Sequence, residues 1–338
     1  MKYMVWNNKG GVGKTFITFM LATEYAIAHP DEEVVVADLC PQANVSEMLL
    51  GGNGAGEINL QICYDNQRTI ASYIKARYDR SRFGKMGDET EYFVKVADYN
   101  KEMPNNIYVI PGDMDLDLCS TIINYLAQAP EKSAWVKSRK FLADLIEPFS
   151  GSHKNKKQVY FFDCNPSFAN YTEMAVLAAD RIIVPCTADA ASIRGVRNLF
   201  RMIYGIKDGK TLSDDSVFDT FSSKVKEAGI RLPKVHLFIQ NKSRVVEATA
   251  AAFRAHLQEI RDIATSLRKE HPGHFTDGDT SVSNVKDGNT LAAILNHTGI
   301  PLSKVQDITY KIYNKRTKAN QSQIDPLLAN IRECLARL

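Results

Sequence analysis

The 338-residue sequence contains no uninterrupted apolar segment long enough to cross a bilayer, which takes about 20 residues. It also lacks the charged-then-apolar leader of a secreted chain, because an apolar run and a glycine-rich turn begin almost at once. Six cysteines, at positions 40, 63, 119, 164, 186 and 334, are scattered without a Cys-x-x-Cys pair. Several lie in apolar runs, which points to buried reduced thiols and away from a disulfide framework or a zinc site. The net charge is only +3, too small to imply a polyanion partner, so any such argument must rest on local clusters. There is no internal repeat and no low-complexity linker, and no separate helix-turn-helix domain is expected ahead of the glycine-rich turn. With 44% hydrophobic and 24% charged residues, the expectation is a cytosolic globular protein. Its length allows one large α/β domain or two smaller ones.

What is present is concentrated near the start. Tyr3 to Trp6 reads as a buried strand, and Phe16 to Ala22 as a helix entering a core. Between them lies Asn7-Asn8-Lys9-Gly10-Gly11-Val12-Gly13-Lys14-Thr15. A strand, a glycine-rich turn and a helix with Lys-Thr in its first turn make a phosphate-binding loop. Backbone N–H groups must wrap the β- and γ-phosphates closely, so side chains are excluded at Gly10, Gly11 and Gly13. The helix N-terminus adds roughly half a positive charge. Lys14 can then bridge phosphate oxygens, and the Thr15 hydroxyl can ligate Mg²⁺.

Strands alternate with helices onward, which predicts a mostly parallel twisted sheet with helices on both faces. Val34 to Ala37 is an all-apolar strand ended by Asp38, and Val159 to Phe162 is another ended by Asp163. Ligands of open α/β sheets sit beyond the carboxyl ends of the strands, so both aspartates fall beside the loop. Asp163 can hold a Mg²⁺-bound water. Further strands are expected at Ile107 to Ile110, Ile182 to Pro185 and Val235 to Lys242. Helices are expected at Leu116 to Gln128, Ala134 to Pro148 and Val245 to His271. Gly51 to Gly56 reads as a flexible turn, and Gly273 to Gly288 as a polar loop. Leu327 to Leu338 is amphipathic and should close the domain by packing on it.

The loop departs from the usual pattern in one way: Asn8 stands where a glycine would open it, and Lys9 precedes the glycine pair. Lys-Gly-Gly-Val-Gly-Lys-Thr resembles the deviant phosphate loop of the ParA/MinD family of ATPases at every position. That resemblance implies a P-loop ATPase with ATP and Mg²⁺ as cofactors, and a homodimer formed on ATP binding. In that dimer Lys9 reaches the nucleotide held by the other subunit. It also implies that Asp38, in Asp-x-x-Pro-Gln, belongs to a first switch and orients or activates the attacking water near Mg²⁺. Asp163-Cys164-Asn165-Pro166-Ser167 resembles the second switch, with Asn165 replacing a proline. Catalysis then falls to Lys9, Lys14 and Asp38. The nucleotide falls to Gly10, Gly11, Val12, Gly13, Lys14, Thr15 and Phe16, with Asn241 and Pro301 flanking the base. The metal falls to Thr15, Asp38 and Asp163. The resemblance spans residues 1 to about 50, 105 to 205 and parts of 233 to 338. This suggests one domain over 1–338 with insertions near 51–104 and 206–290.

The family's partition branch implies non-specific DNA binding by the ATP dimer, a nucleoid location, and a partner protein that stimulates hydrolysis. Three basic stretches are candidates for phosphate contacts. Arg68, Lys75, Arg77, Arg80, Arg82 and Lys85 form either a phosphate-contacting patch or a solvated helix face. Lys224, Lys226, Arg231, Lys234, Lys242 and Arg244 form a second group, and Lys304, Lys311, Lys315, Arg316 and Lys318 a third. Arg194 is either an interface or phosphate-contacting arginine or a solvated one. His236, inside a strand, reads as a core or edge histidine. The alternative is a membrane-associated positioning ATPase of the MinD kind, for which residues 327–338 would have to supply a free amphipathic helix.

Overall fold

The computed structural model describes the chain except residues 81–88, 132, 154, 208–209, 212–220, 244–249 and 277–281, together with the side chains of 210–211, 242–243 and 250–254. Arg82, Lys85 and Arg244 of the basic stretches, and residues 245–249 of the expected helix, lie outside the described residues. The first half runs β1 (Lys2–Val5), α1 (Lys14–Ala28), β2 (Glu33–Leu39), α2 (Asn44–Leu49), α3 (Gly52–Asp65), α4 (Ile70–Arg80), β3 (Val94–Lys95), α5 (Val96–Tyr99) and β4 (Ile107–Ile110). It continues through α6 (Asp115–Ala127), α7 (Ala134–Arg139), α8 (Phe141–Ser152), β5 (Gln158–Cys164), α9 (Asn170–Ala178), β6 (Arg181–Cys186) and α10 (Ala190–Tyr204). A short ribbon, β7 (Ile206–Lys207) with β8 (Lys210–Thr211), precedes α11 (Phe221–Glu227), β9 (Lys234–Ser243), α12 (Ala250–Glu270), β10 (Val282–Lys286) and α13 (Asn289–Thr298). A second ribbon, β11 (Thr309–Ile312) with β12 (Lys315–Lys318), leads into α14 (Gln321–Leu335).

Eight strands form one sheet in the order β10-β9-β6-β1-β5-β2-β4-β3, and only the edge strand β3 runs antiparallel to its neighbour. The strand carrying the phosphate loop is therefore central. All seven residues of β2 are buried, as parallel strands covered on both faces require. One core lies between the sheet and α4, α6, α8, α9, α10 and α12. The other lies between the sheet and α1, α2, α13 and α14.

Several expectations change. Gly52 to Gly56 is not a flexible turn but the first turn of α3; Gly52 and Gly56 lie against backbone carbonyls of His297 and Glu47, where a Cβ would come within 2.4 and 2.1 Å. The expected helix 134–148 is two, α7 and α8, meeting at Lys140, and the second accommodates Pro148. The stretch read as a polar loop contains β10, the outer strand of the sheet beside β9. α14 buries Ile324, Leu327, Ile331 and Cys334 in the second core, so its apolar side faces the protein. No helix among the described residues is long and apolar enough to cross a membrane.

Candidate functional site

The loop between β1 and α1 is pinned from three directions. Asn7, fully buried, donates from Nδ2 to the carbonyl of Pro185 at 2.8 Å and accepts the Lys9 N–H on Oδ1 at 3.0 Å. Gly195 of α10 presses on the same amide: a Cβ there would sit 2.3 Å from Asn7 Oδ1. Asn241, at the end of β9, donates to the carbonyl of Val12 at 3.0 Å. Gly13 has φ of +84°, and a Cβ would meet Asn241 Nδ2 at 1.9 Å, so only glycine fits that bend. Lys14 is buried, with Nζ 2.8 Å from the Lys9 carbonyl and 3.3 Å from the Asn7 carbonyl. Burial draws its ammonium below the ordinary lysine range, and Asp163 works against that.

Asp38 and Asp163 are the penultimate residues of adjacent strands and pair in register across β2 and β5. Both are fully buried. Asp163 accepts the hydroxyls of Thr15 at 2.8 Å and Thr18 at 3.2 Å. Asp38 accepts the Ser46 hydroxyl at 2.7 Å and the N–H groups of Ser46 and Cys40 at 3.0 and 3.1 Å. Burial, and then the negative charge of Asp163, push the Asp38 carboxyl up to about 7. Burial raises Asp163 to about 6. Two carboxylates side by side with too little positive charge around them suit a cation. The donors are oxygens, and Mg²⁺ is commonly held by one or two carboxylates together with substrate phosphates and water. Thr15, Asp38 and Asp163 therefore fit Mg²⁺, with Ser46 and Thr18 as outer partners that the sequence did not single out.

A cleft of about 520 Å³ opens over this site. Gly11, Gly13, Lys14, Thr15 and Phe16 form its floor, Cys40 and Gln42 one wall, and Cys164 to Pro166 another. Met48, Asn53 and Asn296 close its far end, bringing α2, α3 and α13 to the rim. Asn241 and Pro301, expected to flank the base, are not among the lining residues. Asn241 buttresses the loop from beneath, and Pro301 is buried ahead of a short 3₁₀ turn.

Lys9 points away from its own cradle. Its Nζ lies 2.5 Å from Asp189 Oδ2 and 2.7 Å from Thr187 Oγ1. Burial alone would raise the Asp189 carboxyl, but the hydrogen bonds from Lys9 and Thr187 outweigh it and hold the group at about 2. Asp189 also caps α10, accepting the Ser192 N–H at 2.9 Å. The pairing with Lys9 is not legible from spacing, although an aspartate immediately before a helix is a recognisable N-cap signal. Arg194, one turn further, is exposed.

The basic stretches divide. In the first, Arg77 is buried against Asp144 at 2.6 Å, Lys75 pairs with Asp115 and Arg68 donates to the Glu91 carbonyl, so these three are engaged locally, while Arg80 is exposed. The second is split between the two ends of the sheet: Lys234 begins β9 and Lys242 lies near its end, roughly 26 Å along at strand rise. Arg231 and Lys234 join Lys2 and Arg181 around a cleft at the end of the sheet opposite the loop. His236 hydrogen-bonds with Thr276 and the Arg337 carbonyl, as an edge histidine would.

Comparison with known proteins now decides the family. The family model described as an AAA domain matches residues 2–214. The chain belongs to this family, as an ATPase of the ParA/MinD type. This AAA-domain ATPase is 30% identical over 202 residues to the chromosome partitioning protein ParA of Caulobacter vibrioides, a match covering 60% of the chain. That match spans 61% of the relative's length. McdA from Cyanothece has a similar fold, with TM-scores of 0.59 for its apo form and 0.58 for an ATP complex at 15% identity; the apo match covers 99% of this chain and 98% of that one. Cobyrinic acid a,c-diamide synthase from Mycobacterium smegmatis, solved with an ATP analogue and magnesium, reaches 0.50 at 18% identity over 77% of this chain and 81% of its own. At these identities the structural likeness is one of fold, the P-loop nucleotide-binding fold.

Proposed function

We propose that this chain is a nucleotide-switched partition or positioning ATPase whose ATP-bound form is a two-fold dimer. The observation that carries this reading is the division of labour between two lysines of one loop. Lys14 already fills the phosphate cradle, resting on the carbonyls of Asn7 and Lys9. Lys9 is turned outward and held by Thr187 and Asp189. A lysine that does not serve its own cradle is placed to serve a second copy's nucleotide once released. Magnesium, when bound, neutralises phosphate charge and fixes the geometry of the γ-phosphate.

The chain's own residues do the rest. The loop N–H groups and the α1 N-terminus hold the phosphates, and Lys14 bridges their oxygens. Asp38, its carboxylate fixed by Ser46 and Cys40, orients the attacking water. Lys9 from the opposite protomer stabilises charge that develops on the transferring phosphoryl group. Among the described residues lining the cleft there is no histidine, and the only carboxyl is that of Glu47 on α2; the reading is one of slow turnover raised by a partner protein. Dimers of this kind bind DNA without reading its sequence, at the nucleoid. The burial of the α14 apolar side in the core weighs against the membrane-associated alternative.

The test is Lys9→Ala. The variant should bind ATP as tightly as the parent by calorimetry, remain monomeric in sedimentation with ATPγS, and fail to hydrolyse ATP. Unchanged turnover would remove the role of Lys9 across the interface.

A further inference from the structure

Of the basic stretches, one forms an organised surface that the family description does not assign. β11 and β12 pair as an antiparallel ribbon in the register Thr309↔Lys318, Tyr310↔Thr317, Lys311↔Arg316 and Ile312↔Lys315. Side chains alternate along a strand, and directly opposed residues share a face. One face therefore carries Tyr310, Ile312, Lys315 and Thr317; Ile312 is buried, Tyr310 packs against the second core, and Lys315, beside the tip, is exposed. The other carries Thr309, Lys311, Arg316 and Lys318, all exposed. No acidic residue occurs between Ile308 and Asn320. None of these three cations takes part in an ion pair among the described residues.

The ribbon is tied to the nucleotide cleft. Its two-residue tip, Tyr313-Asn314, has both φ angles positive, +46° and +63°. A tyrosine rarely adopts that conformation without a local reason. Here the Tyr313 ring lies 4.8 Å from the ring of His297, next to Asn296, which lines the cleft. His297 also offers its carbonyl side to Gly52, one residue before the cleft-lining Asn53.

We infer that the outer face of the β11–β12 ribbon, through Lys311, Arg316 and Lys318, is the surface that contacts duplex DNA. This rests on the reading of the protein as a DNA-binding switch and names the element that performs it. Two strands about 4.8 Å apart make a ribbon narrow enough for a major groove about 12 Å wide. The absence of apolar side chains on that face favours phosphates over a bilayer, where an apolar surface must be buried. Contacts from these three long cationic side chains to backbone phosphates position a protein on the duplex and carry little sequence information.

The experiment compares the parent with the triple variant Lys311→Ala, Arg316→Ala, Lys318→Ala. Binding to a labelled random-sequence duplex is measured by anisotropy with ATPγS and Mg²⁺ between about 50 and 200 mM salt. Losing three phosphate contacts should flatten the log–log salt slope by about 3 per protomer and weaken binding at least ~tenfold. Thermal unfolding and nucleotide affinity should stay at parental values, since all three side chains are exposed and away from the cleft. A control removes Lys226, Arg231 and Lys269 and should leave the slope unchanged. An equal loss in the control would make the effect one of net charge and overturn the assignment. So would undiminished DNA binding by the ribbon variant, or loss of its binding to anionic vesicles with DNA binding kept. If the parent itself binds no duplex with any nucleotide, the broader switch reading falls, an outcome distinct from failure of the ribbon alone.

Discussion

Asp189→Asn is the perturbation that separates the Lys9 clasp from everything around it. Asparagine caps a helix about as well as aspartate, so the acceptor for the Ser192 N–H is retained and α10 should lose no more than a few tenths of a kcal/mol. What goes is the negative charge 2.5 Å from Lys9 Nζ. A charge-assisted hydrogen bond is worth about 1.5–3 kcal/mol when sheltered and about 0–1 kcal/mol when exposed. The side chains here are 24% and 43% exposed, so a value of about 1 kcal/mol per clasp is reasonable after solvent screening. If closing the dimer requires two clasps to open, removing both favours the dimer by about 2 kcal/mol, or roughly 30-fold in its dissociation constant. Sedimentation velocity across a protein dilution series with ATPγS and Mg²⁺ reads this directly. The expected result is a midpoint shifted to lower protein concentration, with the apo protein still monomeric. An unchanged midpoint, or one shifted the other way, would mean that Lys9 need not leave Asp189 for two copies to close.

Two more outcomes follow from the same geometry. Asp38 and Asp163 stand above their unfolded value of 3.8, at about 7 and about 6, so the stability they allow is full below pH 3.8 and is lost as pH rises through 6 to 7. Metal-free protein should therefore melt at a lower temperature at pH 8 than at pH 5.5, and Asp38→Asn should flatten that dependence; an identical slope in the variant would refute the assignment. Gly195→Ala puts a Cβ 2.3 Å from Asn7 Oδ1, and the overpacking should cost about 1–3 kcal/mol and weaken ATP binding, as denaturant melts and calorimetry would show.

The phosphate loop and the two strand-end carboxylates were legible because their chemistry is local. Close backbone approach demands Gly13 at one bend, and a parallel strand buried on both faces writes its own end where Asp38 or Asp163 interrupts it. β10 was hidden because Val282–Lys286, a five-residue edge strand with two exposed positions, carries no continuous apolar run. α3 was hidden because glycines that would break an isolated helix are needed where Gly52 and Gly56 meet another backbone. Asn241 could be marked as a strand-end amide, but only the three-dimensional arrangement turns it onto Val12. The Lys9 partner lies 180 residues away, beyond any spacing rule. The second basic stretch looked continuous because sequence distance does not register that β9 carries its two ends to opposite sides of the molecule.

The pairing of Asp38 with Asp163 across β2 and β5 has a consequence for how the chain matures. Because neighbouring side chains on a strand point to opposite faces, sliding β2 by a single position would leave a comparably greasy sheet yet carry one carboxylate to the wrong side. Such an impostor could be compact and soluble and still have nothing to grip a triphosphate. Ligand capture thus certifies the alignment of the two strands, and nucleotide supplied during refolding should select the correctly threaded population from its near neighbours.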